Sequence, residues 1–474
     1  MSPKAQVTTG TPVHSLWYAI RRTFSTLWNR PLLGPTDAAG GECPHPNKAP
    51  GHRNIFVAAG IAVCIAVLAA AATYARISMF PPILYSDYGY GTDAHSGPLT
   101  ANLYFDSDVS SYVEVMTDRH GKHHADTSLH PLMSLILYPP SKLLRSIGLS
   151  DIAAVNATMA AVSAVWSILM FSLLFIWGCR TLDAAVFTVL GQVSASAMFW
   201  FMVPDTYTFG SVTILAALLL TLWPKSVPSL VRYTIATSIS LSMATTNAMV
   251  GLIASARRLA TSNVWLVGAS AWFIVCVLWA AQKHLFPAAE FFLPPPHDAM
   301  RFFCAPTPDR IFRVLQAVLS HTVVMPDVQT FADSGQCQPG SSFRMLSVEQ
   351  SWAGSGGVLG SIATLAWIAL GALAARAAVR TACSGMQTLC LYCGAALLAF
   401  YGVYSYETFL ITMLFLPLLI VLAAGVTFTR FRRIGLALAT VVIVLGGANN
   451  WLQVKKAAAI AYEVDVVARG WTPR

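Results

Sequence analysis

The segment from Ile55 to Ala75 is 21 residues without a charge, and a helix of that length crosses the ~30 Å hydrocarbon core of a bilayer. Further apolar runs follow at Ile152–Cys179, Ala184–Val203, Tyr207–Trp223, Tyr233–Ala256, Val264–Gln282, Gly356–Ala375, Thr381–Tyr406, Thr408–Thr429 and Ile434–Ala448. Runs this long and continuous exclude a β-barrel, whose strands alternate. With 11 % charged residues against 55 % hydrophobic, a soluble globule of this size could not cover its surface. The expectation is an all-α polytopic membrane protein with about ten transmembrane helices, nine to twelve. Its parts are an N-terminal tail (1–54), a membrane module (55–282) with an outer loop (77–151), a second outer loop (283–355), C-terminal transmembrane helices (356–448) and a C-terminal tail (449–474).

The net charge of +9 is unevenly placed. Pro81–Ser128 holds seven acids and two bases, and Lys283–Ser351 six acids and five bases, so the remainder of the chain carries +15. Long acidic loops set against short basic ones follow the positive-inside rule. The N-terminus is therefore expected in the cytoplasm and both loops outside, in a multi-pass protein of a bacterial plasma membrane. The basic excess belongs to topology, which removes the reason to invoke nucleic acid. Leu129–Ile147 contains Pro131, Pro139, Pro140, Lys142 and Arg145, which suits an interfacial amphipathic helix better than a span. To bring Arg257 and Arg258 inside, Thr245-Thr246-Asn247 is expected to form the tip of a short hairpin. Cys304 and Cys337 are the two cysteines of the second loop and are candidates to pair in an oxidising compartment. Cys390 and Cys393 sit in an apolar run and read as small hydrophobes. No Walker loop, GxGxxG or 20–50-residue repeat occurs, which disfavours a nucleotide-driven machine.

The informative segment runs from Asn102 to Pro140. Acids and histidines are expensive near a bilayer, and here they crowd just beyond the first span. Asp106 and Asp108 either cap a helix over Val109–Thr117 or present two carboxylates together. Asp108 precedes Tyr112 by four residues, and His130-Pro131-Leu132 opens the amphipathic segment. Pro204-Asp205-Thr206-Tyr207 puts a further acid at the outer end of a span, as a cap or as a functional group. Glu407 lies at a break between two apolar runs. In His120-Gly121-Lys122-His123-His124 the adjacent histidines diverge and Lys122 repels a cation, so a metal site there is disfavoured.

This arrangement resembles the C-type (GT-C) superfamily of polytopic membrane glycosyltransferases, which use polyprenyl-phosphate-linked sugars. Protein O-mannosyltransferases and the aminoarabinose transferase of lipid A are of this type. The resemblance covers roughly residues 55 to 225 and rests on Asp108 with Tyr112, on His130-Pro131, and on Asp205. It departs from the relatives at Val109-Ser110, where several carry a second charged residue, and in the long loop 283–351. It implies inverting transfer on the outer face, from a polyprenyl-phosphate-sugar donor to a glycan, lipid or protein acceptor. Such transfer needs a base for the acceptor hydroxyl and positive charge at the departing phosphate. Asp108 is the expected base, with Asp106 as the alternative. Tyr112, His130, Asp205, Tyr207 and Glu407 are candidate substrate contacts. Asp205 and His130 are the candidate ligands of a divalent metal, Mg or Mn, while Arg119, Lys122, Arg301, Arg310 and Arg313 are cations available to the phosphate. A transporter or flippase of lipid-linked sugars is the second reading, a polysaccharide polymerase or ligase the third, and a non-enzymatic membrane scaffold the fourth.

Overall fold

The computed structural model describes residues 52–85, 103–222, 229–293, 303–332, 344–380, 385–404 and 407–468. They form sixteen α-helices and one two-stranded sheet. Most of the expected N-terminal tail lies outside these residues, as do Arg301 and Cys337. Five segments are long and apolar enough to cross a membrane, as in an integral membrane protein: Ile55–Ile77, Asp151–Trp177, Thr261–Leu285, Val358–Val379 and Arg432–Val466. Four more apolar helices are shorter, at Thr181–Val193, Thr206–Thr221, Gly385–Tyr401 and Thr412–Phe428. The full count of about ten spans is therefore not reached by length alone.

Helix α1 (His52–Ile77) leads through a short turn at Pro82–Tyr85 to α2 (Val109–Thr117) and α3 (Met133–Ser146). Pro139 and Pro140 lie inside α3, where each removes a backbone donor. The helix is held instead by its side chains. Ser141 Oγ meets Thr158 Oγ1 at 3.0 Å, Arg145 donates to the carbonyl of Thr117, and Arg145 Nε pairs with Asp151 Oδ1 at 2.5 Å. Helix α4 (Asp151–Trp177) starts where Ser150 accepts a hydrogen bond from Ala153 N and ends at Gly178, whose φ of 112° turns the chain. Such a left-handed C-terminal residue favours glycine. Helix α4 packs against α1.

Next come α5 (Thr181–Val193), α6 (Ala195–Trp200) and α7 (Thr206–Thr221). The expected run 233–256 is a hairpin of α8 (Ser229–Leu241) and α9 (Ala248–Ala256), turned at Thr245–Asn247. Gly251 permits their close approach: a Cβ there would stand 2.6 Å from Thr237 Cα. Helix α10 (Thr261–Leu285) packs on α8.

The second loop contains α11 (Pro308–Gln316) and an antiparallel pair, β1 (Gln329–Ala332) and β2 (Arg344–Ser347), with Gln329 opposite Ser347. Cys304 is disulfide-bonded; its expected partner Cys337 lies outside the described residues. Helices α12 (Val358–Arg380), α13 (Gly385–Tyr401) and α14 (Thr412–Ala424) follow. Helix α14 is buried along nearly its whole length and touches α5, α6, α7, α12 and α13, which puts it at the centre of the bundle.

Residues 449–468, assigned to a tail from the sequence, are helical. Helix α15 (Arg432–Val441) runs through a π-helical turn, Val442–Gly446, into α16 (Gly447–Ala468). Asn449, Asn450 and Gln453 of α16 hold the irregular stretch 323–328 of the second loop. Asn450 Oδ1 accepts from Met325 N (2.7 Å), Asn449 Nδ2 donates to Met325 O (2.7 Å), and Gln453 Oε1 accepts from Val328 N (3.0 Å). Irregular backbone inside a membrane bundle persists only where protein groups satisfy it.

Candidate functional site

The two loops meet beside the first carboxylates. Leu346 N donates to Leu103 O at 2.8 Å, and Tyr104 bridges to Leu346, so β2 and the start of the Leu103–Asp108 turn run together. Below the turn lies an aromatic nest. Phe105 packs on Phe199, Trp200 and Phe409 with ring centroids 5.1 to 6.0 Å apart. Tyr104 donates to Phe199 O at 2.8 Å and Trp200 Nε1 to Phe409 O at 3.1 Å. These contacts hold Phe105 and Asp106 at φ of 50° and 58°, a left-handed conformation that costs a non-glycine residue energy and tends to occur at functional sites.

Asp108 stands at the N-cap position of α2, but its side chain makes no capping hydrogen bond. Ser107, between the two acids, donates to Asp205 Oδ2 at 2.5 Å, while Asp205 Oδ1 caps α7 by accepting from Tyr207 N at 2.9 Å. Asp205 thus serves as a cap and also ties the first loop to α7. It is 2 % exposed. Burial raises its pKa from 3.8 to about 7, the hydrogen bonds from Ser107 and Tyr207 pull the other way, and the charge of Asp108 raises it further.

The next residue, Thr206, joins two more of the expected residues. Its hydroxyl lies 3.5 Å from Tyr112 Oη and 3.3 Å from His130 Nε2. His130 Nδ1 lies 2.9 Å from the carbonyl of Met243, which can only accept, so Nδ1 carries the proton and Nε2 accepts from Thr206. Burial lowers the His130 pKa, which keeps the ring neutral. Tyr112 is within electrostatic reach of Asp108 and Asp205, and Tyr207 of Asp205 and Tyr112. Asp108, Tyr112, His130, Asp205 and Tyr207 therefore form one cluster.

A second pair of acids adjoins it. Glu407 is 1 % exposed and accepts from Ser347 Oγ at 2.9 Å, and Glu349 Oε1 accepts from Thr408 N at 2.5 Å. Burial raises both pKa values; for Glu407 the charges of Glu349 and Asp106 add to it. Asp106 thus faces Glu407, and Asp108 faces Asp205. Arg313 donates to Glu349 O at 2.9 Å and pairs with Asp309 at 2.8 Å, and the charges of Arg310 and Arg313 both bear on Glu349. Of the other expected cations, Arg119 donates to the carbonyl of Leu285 at 2.6 Å, while Lys122 enters neither the carboxylate cluster nor an ion pair among the described residues.

Sequence reasoning missed Ser107, Thr206 and Glu349. Ser107 carried a usable signal, its place between two acids. Glu349 carried none. The histidine run is structural at His124, whose ring nitrogens lie 2.7 Å from Ser134 Oγ and 2.8 Å from Asp118 O. His123 is flanked by Glu114 and Asp126, each at 3.8 Å. Among the described residues no three His, Cys, Asp or Glu side chains form a metal-binding group, and both His130 nitrogens are engaged. The chain matches no protein-family model, no curated protein and no solved structure.

Proposed function

We propose that this protein is an inverting membrane glycosyltransferase that takes a sugar from a polyprenyl-phosphate donor at the outer face of the membrane. The observation that carries the reading is the Ser107–Asp205 hydrogen bond, which ties the turn bearing Asp108, an exposed carboxylate, to a buried acid at the end of an apolar helix. The anomeric carbon of a lipid-linked donor sits just outside the bilayer, where such a cluster can reach it.

In the reaction Asp108 removes the proton from the acceptor hydroxyl. The acceptor oxygen bonds to the anomeric carbon as the carbon–phosphate oxygen bond breaks, and the phosphate leaves on its lipid. Asp205 positions the 106–108 turn, and with a pKa near neutrality it can take the proton onward from Asp108. Neutral His130 fixes Thr206 and through it Tyr112. No step is routed through a metal.

The test is sugar transfer from a polyprenyl-phosphate-sugar by the purified protein. Asp108→Asn keeps shape and loses the base, and general-base loss removes roughly 10²–10⁴ in rate. Wild-type turnover in a folded Asp108→Asn protein refutes the role. A loss in Asp106→Asn alone moves the base to Asp106 and keeps the reaction class.

A further inference from the structure

Arg76 lies at the outer end of α1, beneath the same turn. It is 6 % exposed, unlike the outward residues of that helix, such as Leu68 at 69 % and Tyr74 at 48 %. Its guanidinium donates to Thr73 Oγ1 at 2.9 Å, and its Nε has no hydrogen-bond partner. Among the described residues it joins no ion pair. An arginine placed to answer the last carbonyls of its helix would bond to them. This one bonds to a side chain.

Among the described residues the guanidinium is backed by neutral groups only. Thr73 donates to Ser163 Oγ at 3.2 Å, and Ser163 donates to Gln192 Oε1 at 3.1 Å. Near it is Tyr85, whose buried hydroxyl also lacks a partner. Arg76 and Tyr85 both act electrostatically on Tyr104, so the two unpartnered donors lie around one ring. The proton of Tyr104 is committed to Phe199 O. Ser107 N donates to Tyr104 O at 2.9 Å, which connects this place to the carboxylate cluster through a single turn.

A buried positive charge with no counter-charge and an unmatched hydroxyl proton among the described residues call for an anion with several acceptor oxygens. We propose that Arg76 and Tyr85 bind the phosphate group of a lipid-linked phosphate. The inference deepens the transferase reading and rests on it for the identity of the anion.

The test uses the full-length protein in detergent, with farnesyl phosphate as probe and farnesol and inorganic phosphate as controls, read by tryptophan fluorescence and thermal melting. Farnesyl phosphate is expected to bind and to raise the melting temperature, and farnesol to do neither. Competition by inorganic phosphate at similar concentration would assign the site to free phosphate; weak competition assigns it to the lipid-linked form. Arg76→Gln is expected to weaken farnesyl phosphate at least about tenfold, as the loss of a charged hydrogen-bonding partner does. It should also raise the melting temperature without ligand, because an uncompensated buried charge is gone. Tyr85→Phe should weaken binding by a smaller factor.

Equal binding of farnesol and farnesyl phosphate overturns the proposal. So does an Arg76→Gln protein that is less stable without ligand and binds as wild type. If Arg76→Gln does not fold, unchanged affinity in both Tyr85→Phe and Arg76→Lys overturns it. Phosphate binding that depends on Arg76 in a protein that transfers no sugar leaves the site standing and removes the transferase reading. Transfer that needs Asp108 and ignores Arg76 does the reverse.

Discussion

Asp205→Asn separates the electrostatic cost of the cluster from its architecture. Asparagine caps a helix as well as aspartate, so Tyr207 N keeps its acceptor, and the Ser107 hydroxyl can rotate to accept from the new amide. What disappears is the buried charge. A carboxyl held at about 7 instead of 3.8 is shifted by about three units, a ceiling of ~4 kcal/mol at 1.36 kcal/mol per unit. Below pH ~4 the group is neutral in both folded and unfolded protein and costs nothing. Between about 4 and 7 the unfolded chain ionises while the folded one stays protonated, so wild-type stability falls as pH rises; above 7 the full penalty remains. Asp205→Asn should therefore melt at a higher temperature than wild type at pH 8, by a few degrees, and the gap should close toward pH 4. Melting followed through the 13 tryptophans measures it, and the difference cancels groups common to both proteins. A less stable Asn variant at pH 8, or a gap independent of pH, would refute the reasoning.

Other substitutions test the supports. Ser107→Ala removes the hydrogen bond that opposes the effect of burial on Asp205, so the Asp205 pKa should rise further, moving the pH–rate profile alkaline and lowering transfer about tenfold, in line with a lost charged hydrogen bond. Gly251→Val drives a side chain into Thr237 and should destabilise the α8–α9 hairpin by about 1–3 kcal/mol, seen as a lower melting temperature. Arg432 holds the buried carboxylate of Asp183 through bonds of 2.8 and 2.5 Å. Arg432→Gln should cost roughly 3–5 kcal/mol, and Asp183→Asn placed on top of it should recover part of that in the same melt.

The local features of the chain were legible where hydrophobic pattern decides them. The first span, the helix over Val109–Thr117 and the turn at Thr245–Asn247 follow from charge-free length, an acidic cap position and a polar break in an apolar run. Pairings across the chain were not. Ser107 meets Asp205 from 98 positions away, and Glu349 joins Glu407 through a loop whose pattern carries no period. The helix over 449–468 was hidden within the expected tail for a specific reason. Asn449, Asn450, Gln453 and two lysines look like solvated polarity, yet the amides are buried, at 0, 0 and 6 % exposure, and face backbone instead of water. Composition reports polarity without reporting which partner satisfies it.

The grip of α16 on the stretch 323–328 bears on how the protein is made. In synthesis α16 follows the stretch 323–328 by 124 to 125 positions, so Met325 and Val328 must wait with unsatisfied backbone until Asn449, Asn450 and Gln453 arrive. Because β2 holds the Leu103–Asp108 turn through Leu346, the carboxylate cluster can reach its final arrangement only after α16 is in place. A chain cut before Asn449 would thus lack the side chains that complete the arrangement of this cluster.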